Sequence, residues 1–450
     1  MLRIYLLAML ATWLAVGSAT ADPKDYLDKP AAWFLEEEAR QIAANILSFQ
    51  SELGGWPKNV DTSANQYEGD RRDLDPTYDN GATTDELRFL ALMHAATNDI
   101  VYQTAFDLGL DYVFQGQYPN GGWPQRYPSG NDYHRHITFN DNAMVRLLEF
   151  VRQVATEEGY AFVDEARRNA AGDAFERGIA CILQCQIVVN DTLTAWCAQH
   201  DEVDFRPRSA RSYELATLSG SESVGIVRLL MSIDSPSPEI VQAVEASVEW
   251  FKRARLAGIR VVQEEDEEGP DGLNRVVVED PLAPPLWARF YDIGTNQPVF
   301  ADRDGVPKSA LADIGYERRN GYAWYGGWPQ KLLEDEYPAW ETRLNAMTAV
   351  EQAADGLPED SALLQNYPNP FNPHTTIEYR IDGFVPVELN VYDALGQKIR
   401  TLVDAPQGPG RYRLQWDGRT DGGIAVSSGV YIYRLTAGTH QETRQLVLIK

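Results

Sequence analysis

The 450-residue chain has only three cysteines, six histidines, too few basic residues to balance its acids, and no long apolar run beyond its first two dozen residues. Each shortage excludes something. Cys181, Cys185 and Cys197 have no histidine at zinc-ligand spacing, which argues against a structural zinc site. They fit either one disulfide with an odd thiol or buried thiols in a helical core. The apolar stretch Leu6–Val16 is too short to span a bilayer. With Arg3 before it and Ala19-Thr20-Ala21 after it, residues 1–21 read as a signal peptide. No later segment reads as a membrane span, so an exported protein is expected. The 40 Lys and Arg stand against 66 Asp and Glu, a net charge of -26. That argues against nucleic acid as a general partner, because phosphate binding needs a basic surface.

The acidity is uneven. Residues 363–450 hold 9 basic and 8 acidic residues, leaving 31 against 58 in residues 1–362. From about Pro30 to Met347 apolar residues recur at three- and four-residue spacing, which predicts helices. They are expected over Ala39–Leu53, Asp85–Thr97, Ile100–Gln115, Asn142–Thr156, Asp164–Gln186, Ser221–Ser232 and Ile240–Ala257. Past a polar connector, 351–362, short alternating segments appear at Thr375–Ile381, Val385–Tyr392, Tyr412–Trp416, Gly429–Ala437 and Gln445–Ile449. They read as a β-sandwich. The expected organisation is therefore a signal peptide (1–21), a helical domain (22–350), a linker (351–362) and a β-sandwich (363–450).

Gly-Gly-Trp-Pro occurs three times, at Gly54–Pro57, Gly121–Pro124 and Gly326–Pro329, each with a basic residue close behind. Such a turn either buries its tryptophan or presents it to a sugar; the repetition favours loops lining a cleft. Tyr78-Asp79-Asn80-Gly81 and Phe139-Asn140-Asp141-Asn142 each place carboxylate and amide oxygens on a turn ahead of a helix. Such turns serve as helix caps, and the same oxygens suit Ca²⁺. His134 and His136 read as hydrogen-bonding rim residues. Arginines beside aromatics in Phe205–Glu214 and Pro285–Tyr291, followed by Arg303, suit a sugar carboxylate, with pairing to local acids as the alternative.

These motifs, in order, resemble the pectate lyases of polysaccharide lyase family 10. The resemblance rests on Gly54–Asn59, Tyr78–Thr83, Gln117–Gln125, Arg135–Asp141, Ala210–Glu214 and Trp287–Tyr291, and spans about 48–340. It implies an incomplete (α/α) toroid with a loop-lined groove, and cleavage of polygalacturonate by calcium-assisted β-elimination. By motif it implies Asp79, Asn80 and Asp141 as calcium-site residues and Arg211 as the proton-abstracting base. Arg289 and Arg303 match carboxylate-gripping arginines, and Lys58, Trp123 and Arg208 are further expected substrate contacts. Lys58 is also the competing base, since arginine's reference pKa is about 12.5–13.8. Leu364–Pro373, Val391–Gly396 and Ser428–Tyr433 resemble the Ig-like type A sorting domain of type IX secretion, which implies that machinery as a partner and a cell-surface or extracellular destination. The competing readings are an inverting glycoside hydrolase and a non-catalytic pectin-binding protein. A monomer is expected.

Overall fold

The structure, a computed structural model, describes residues 22–269, 272–354 and 361–449. The expected signal peptide and residues 355–360 of the expected connector lie outside them. The chain divides into two compact units, with the division between Trp340 and Glu341. No helix among the described residues is long and apolar enough to cross a membrane.

The N-terminal unit is an incomplete (α/α) toroid with small open sheets. Its main helices are α1 (Glu37–Ser48), α2 (Thr84–Thr97), α3 (Ile100–Gly116), α4 (Ala143–Thr156), α5 (Glu165–Cys185), α6 (Glu222–Met231) and α7 (Pro238–Ala254). Consecutive helices pack together: α1 on α2, α2 on α3, α4 on α5 and α6 on α7. Helix α4 shows why. Met144, Leu147, Leu148, Val151 and Val154 recur at three- and four-residue spacing, and all are buried. Helix α7 starts two residues before the position expected from apolar spacing, because Ser237 caps it and Pro238 occupies its first turn.

One hydrogen-bonding scheme recurs three times around the toroid. The side-chain amides of Gln50, Gln117 and Gln186 each donate to two carbonyls. One belongs to the adjoining loop (Gly54, Gly121, Thr194) and one to the next outer helix (Ala105, Ala174, Ala243). The indoles of Trp56, Trp123 and Trp196 donate back to Ile46, Val113 and Ile182 in the preceding helix. The carbonyls of these tryptophans accept from the amides of Thr77, Thr138 and Ser219. All these bonds are between 2.7 and 3.0 Å. Each copy then runs into a polar turn and the next helix: Asp79 before α2, Asn140 and Asp141 before α4, Glu222 opening α6. The repeat thus brings the acidic side chains to the N-terminal ends of alternate helices.

This corrects the reading of the turns' tryptophans as cleft-facing, although Pro57 and Lys58 of the first turn do border a cavity. Trp56 and Trp123 are fully buried. The sugar-facing role expected of Trp123 gives way to a core role, with no ring face open to solvent. The third copy, at Gly326, is not equivalent: Trp196, preceded by alanine, fills the third position, and neither Gly326 nor Gly327 has positive φ.

Gly54 and Gly121 hold φ at +106° and +91°, and an added Cβ would lie 2.3 Å from the Leu108 carbonyl oxygen or 2.1 Å from that of Arg177. Gly121→Ala is therefore expected to lower stability by about 2–4 kcal/mol, combining backbone strain with the clash. Urea unfolding measures it; an unchanged midpoint would contradict this packing.

The three cysteines are free and buried. Burial raises the Cys185 thiol well above its ordinary value, with the hydrogen-bonded Cys181 adding to the shift. Of the two alternatives left open by the sequence, the structure takes the buried thiols.

The C-terminal unit is an Ig-like sandwich. One sheet orders Ala362–Leu363, Thr375–Ile381 and Gly410–Trp416; the other orders Lys398–Gln407, Val385–Tyr392, Gly429–Ala437 and His440–Leu448. Thr375–Ile381 alternates strictly between buried and half-buried positions. Ile377, Tyr379, Leu389, Trp416, Tyr433 and Leu435 fill the core between the sheets.

Candidate active site

Two polar turns pack against each other at the heads of α2 and α4. In the first, Asn80 and Gly81 take positive φ, 55° and 86°. In the second, Asp141 and Asn142 do so, at 50° and 61°. Asn, Asp and Gly tolerate this region, so the local sequence itself makes the turns. Asp79 is buried. Its Oδ2 accepts from Gln125 Nε2 at 2.7 Å and from Lys58 Nζ. Asp79 Oδ1 is buried with no hydrogen-bond partner among the described residues, and so is Asn140 Oδ1. Asn140 Nδ2 donates to Asp141 Oδ2 at 2.6 Å.

A buried acceptor left unsatisfied costs about 1–3 kcal/mol, more when charged. Two on neighbouring turns leave acceptors open to a water or a cation. Carboxylate and amide oxygens are the donors that Ca²⁺ prefers, so Asp79, Asn140 and Asp141 fit such an ion. Asn80, expected as a ligand, is exposed on the same turn. Asn140 belongs to the turn that the sequence singled out, and its free Oδ1 is what the structure adds.

Arg289 crosses to the second turn. Its Nη2 donates to Asp141 Oδ1 at 3.3 Å and to Glu222 Oε1, and its guanidinium lies 4.9 Å from the Tyr322 ring. Burial favours the neutral guanidinium, but Glu222, Tyr322 and Asp141 outweigh it and raise the pKa. Arg289 is thus a fixed positive charge beside the Asp141 turn.

Arg211 forms a two-pronged pair with Glu214, Nε to Oε2 at 2.8 Å and Nη2 to Oε1 at 2.6 Å. Glu214 also accepts from the Tyr322 hydroxyl at 2.9 Å. Tyr322 therefore links the two arginines, its hydroxyl on the partner of Arg211 and its ring face on Arg289. Arg211 is half-exposed, and its Nη1 makes no hydrogen bond among the described residues. Burial again favours its neutral form; Glu214 and the nearby tyrosines override it, and the net shift is upward.

Arg303 is exposed and paired with Glu317, on a loop where Gly305 packs close to Ser212. Arg208 stands apart, held by Asp201 at 2.8 Å on a short strand beside Gln199. His136, Asp201 and Glu202 form a tight group of ligand-type atoms. Its carboxylates already engage Arg135 and Arg208, so it is an ion-pair knot, and His134 likewise bonds Asp132. The structure thus gathers Lys58, Asp79, Asn80, Asp141, Arg289 and Arg211 around the two turns and their arginine rim. Arg303 sits at the edge; Arg208 is paired with Asp201, and Trp123 lies in the core.

Oxygen-donor turns faced by arginines, set on a helical toroid, are the frame of a polysaccharide lyase. The chain belongs to the pectic acid lyase family, whose model matches residues 50–333. It is similar to the family 10 polysaccharide lyase from Cellvibrio cellulosa at 35% identity and TM-score 0.59, covering 68% of this chain and 94% of that one. An aspartate-to-alanine mutant of a family 10 lyase from the same organism, in complex with trigalacturonic acid, matches at 34% identity and TM-score 0.59, covering 69% and 96%. A FlgD Ig-like domain model matches residues 373–441. Comparison with curated proteins finds no match.

Proposed function

We propose that the protein is an exported pectate lyase that cleaves α-1,4-linked polygalacturonate by calcium-assisted β-elimination. The observation that carries this reading is the pair of oxygens without partners among the described residues, Asp79 Oδ1 and Asn140 Oδ1, close to the half-buried Arg289. It explains how an acidic protein takes an acidic polymer. Ca²⁺ held by Asp79, Asn140 and Asp141 would supply Lewis-acid charge to the carboxylate next to C5. Arg289 presents a permanent cation to the same chain, and Arg303 offers a second at the rim. Arg211 takes the C5 proton at Nη1, the nitrogen that Glu214 leaves open. The C5–H electron pair becomes the C4–C5 double bond as the C4–O bond breaks, and the departing oxygen keeps that bond's pair and takes a proton from water. Glu214 and Tyr322 fix the direction of the guanidinium, while Glu214 also favours its charged form. Turnover at neutral pH is therefore slow and rises with pH.

The test is product identity. Mass spectrometry of digested polygalacturonate should find new non-reducing ends lighter by one water than a hydrolysed chain. Full-mass ends only would refute elimination.

The C-terminal sandwich serves as a type IX sorting domain in this reading. Its motifs support that role, and the rings of Tyr392, Tyr431 and Tyr433 do not form a sugar platform. Tyr433 is buried, donates to Leu364 and accepts from Asn366; Tyr431 is buried too, and Arg434 covers Tyr392. Ending the chain after Asp360 should leave kcat/KM on soluble polygalacturonate within about twofold, because the helical unit has its own core. Saturable binding of polygalacturonate to the isolated sandwich, read by calorimetry, would make it a binding module instead.

A further inference from the structure

A cavity of about 650 Å³ opens beside the Asp79–Gly81 turn. Its size falls within the roughly 300–1,000 Å³ typical of small-molecule sites. Lys24, Lys58, Asn80, Asp61, Glu86 and Arg146 stand in its wall, with Asp22 at Lys24. The acids there are already engaged. Asp61 Oδ1 accepts from the Ser63 amide at 2.9 Å and its hydroxyl at 2.5 Å. Asp22 pairs with Lys24 at 3.0 Å. Glu86 accepts from Thr62 Oγ1 at 2.9 Å and the Thr83 amide at 2.8 Å. Burial pushes its carboxyl up to about 8, so it is mainly neutral at pH 7.

The cations are less fully matched. Lys58 is held by Asp79. Arg146 makes no hydrogen bond or ion pair among the described residues. Its Nη1 lies against Gly81, where Asp85 Oδ2 also lies, and Asp85 is itself paired with Arg88 at 3.2 Å. The wall carries Lys24, Lys58 and Arg146 beside Asp22, Asp61 and the mainly neutral Glu86, with Asp79 behind Lys58 and Asp85 facing Arg146; of these cations the Arg146 guanidinium alone has no direct partner among the described residues. That arrangement receives a carboxylate.

We propose that this cavity is a distal subsite for a further galacturonate unit of the polymer. Arg146 grips the unit's carboxylate, Asn80 offers its side-chain amide, and Lys24 adds charge at the edge. The proposal rests on the pectate reading of the neighbouring turns. Asp22 and Lys24 lie outside the stretch that matches the family, residues 50–333, so this wall belongs to the chain's own N-terminal segment. A subsite remote from the reacting bond makes longer substrates better ones.

The test uses the full chain with Ca²⁺, as wild type, Arg146→Gln and Lys24→Ala, against tri- and hexagalacturonate. Arg146→Gln should lower kcat/KM on the hexamer about tenfold, the size expected for one charge-assisted contact, and leave the trimer nearly unchanged. Lys24→Ala, at an exposed position where folding is not at stake, should cost the hexamer about twofold to threefold by the weaker screened interaction. Equal losses on both substrates, or no loss with either variant, would overturn the subsite. Calorimetric titration of hexagalacturonate separates this outcome from failure of the lyase reading. Weaker binding to Arg146→Gln than to wild type supports the subsite whether or not product forms; equal binding overturns it.

Discussion

Asp141→Ala is expected to reduce turnover of polygalacturonate about a thousandfold, the scale of losing a metal that stabilises developing charge. In the proposed mechanism Asp141 has two jobs. Its carboxylate is one of the oxygen donors on the paired turns, and it is one of two acids that hold Arg289. Removing it loosens the metal seat and leaves Arg289 to Glu222 alone. Because Asp141 sits at φ 50°, alanine also adds backbone strain of about 1–2 kcal/mol. Asp141→Asn is the control, since asparagine tolerates that conformation. It should keep the wild-type helical circular dichroism and melting temperature yet lose most activity, with calcium affinity by calorimetry down about tenfold to a hundredfold. An Asp141→Asn enzyme that works within threefold of wild type would remove Asp141 from the metal site.

Arg211→Ala is expected to lower kcat by about 10³–10⁴ with little change in KM, within the reach of a general base that acts only in the transition state. Arg289→Ala should show the opposite pattern, a raised KM, because its charge grips substrate and transition state alike. Arg211→Lys should fail nearly as badly as alanine. The guanidinium gives Nε and Nη2 to Glu214 and keeps Nη1 for the substrate; a lysine has one nitrogen, which Glu214 would capture. The pH profile has a definite sign. The base acts in its neutral form, and Glu214 shifts the pKa of Arg211 upward, so log kcat should still be climbing at about pH 10. A plateau near neutral pH, or a Lys58→Ala variant that loses kcat while Arg211→Ala keeps it, would move the base role to Lys58.

Much of this could be read from the sequence because the determinants are local. Asp79-Asn80-Gly81 and Asn140-Asp141-Asn142 form their turns through residues that accept positive φ, and the helices that follow announce themselves by apolar spacing. All seven main helices fall within a few residues of the expected spans. Other features were hidden because they arise between distant segments. Tyr322 meets Glu214 across 108 positions and Glu222 meets Arg289 across 67, and the motifs around Glu214 and Arg289 give no sign of these partners. Trp123 drew a sugar-binding expectation because a Gly-Gly-Trp-Pro turn looks the same whether its indole faces out or in. The bond to Val113, ten residues back, decides it. The third structural repeat was missed for a related reason. Trp196 makes the same bonds as Trp56 and Trp123 without the glycine pair, whereas the Gly326 copy has the glycines without the bonds. In the sandwich, Lys398–Gln407 escaped notice as a strand because its exposed edge lacks apolar alternation.

The most direct test of the calcium-assisted lyase assignment is the ultraviolet absorbance of a polygalacturonate digest at about pH 10, where the largest neutral fraction of Arg211 is within reach. With Ca²⁺ present, absorbance from the unsaturated uronate should rise steadily, stop on addition of excess EDTA, and resume when Ca²⁺ is restored. Reducing ends that accumulate without absorbance, or absorbance that continues undiminished in excess EDTA, would contradict it.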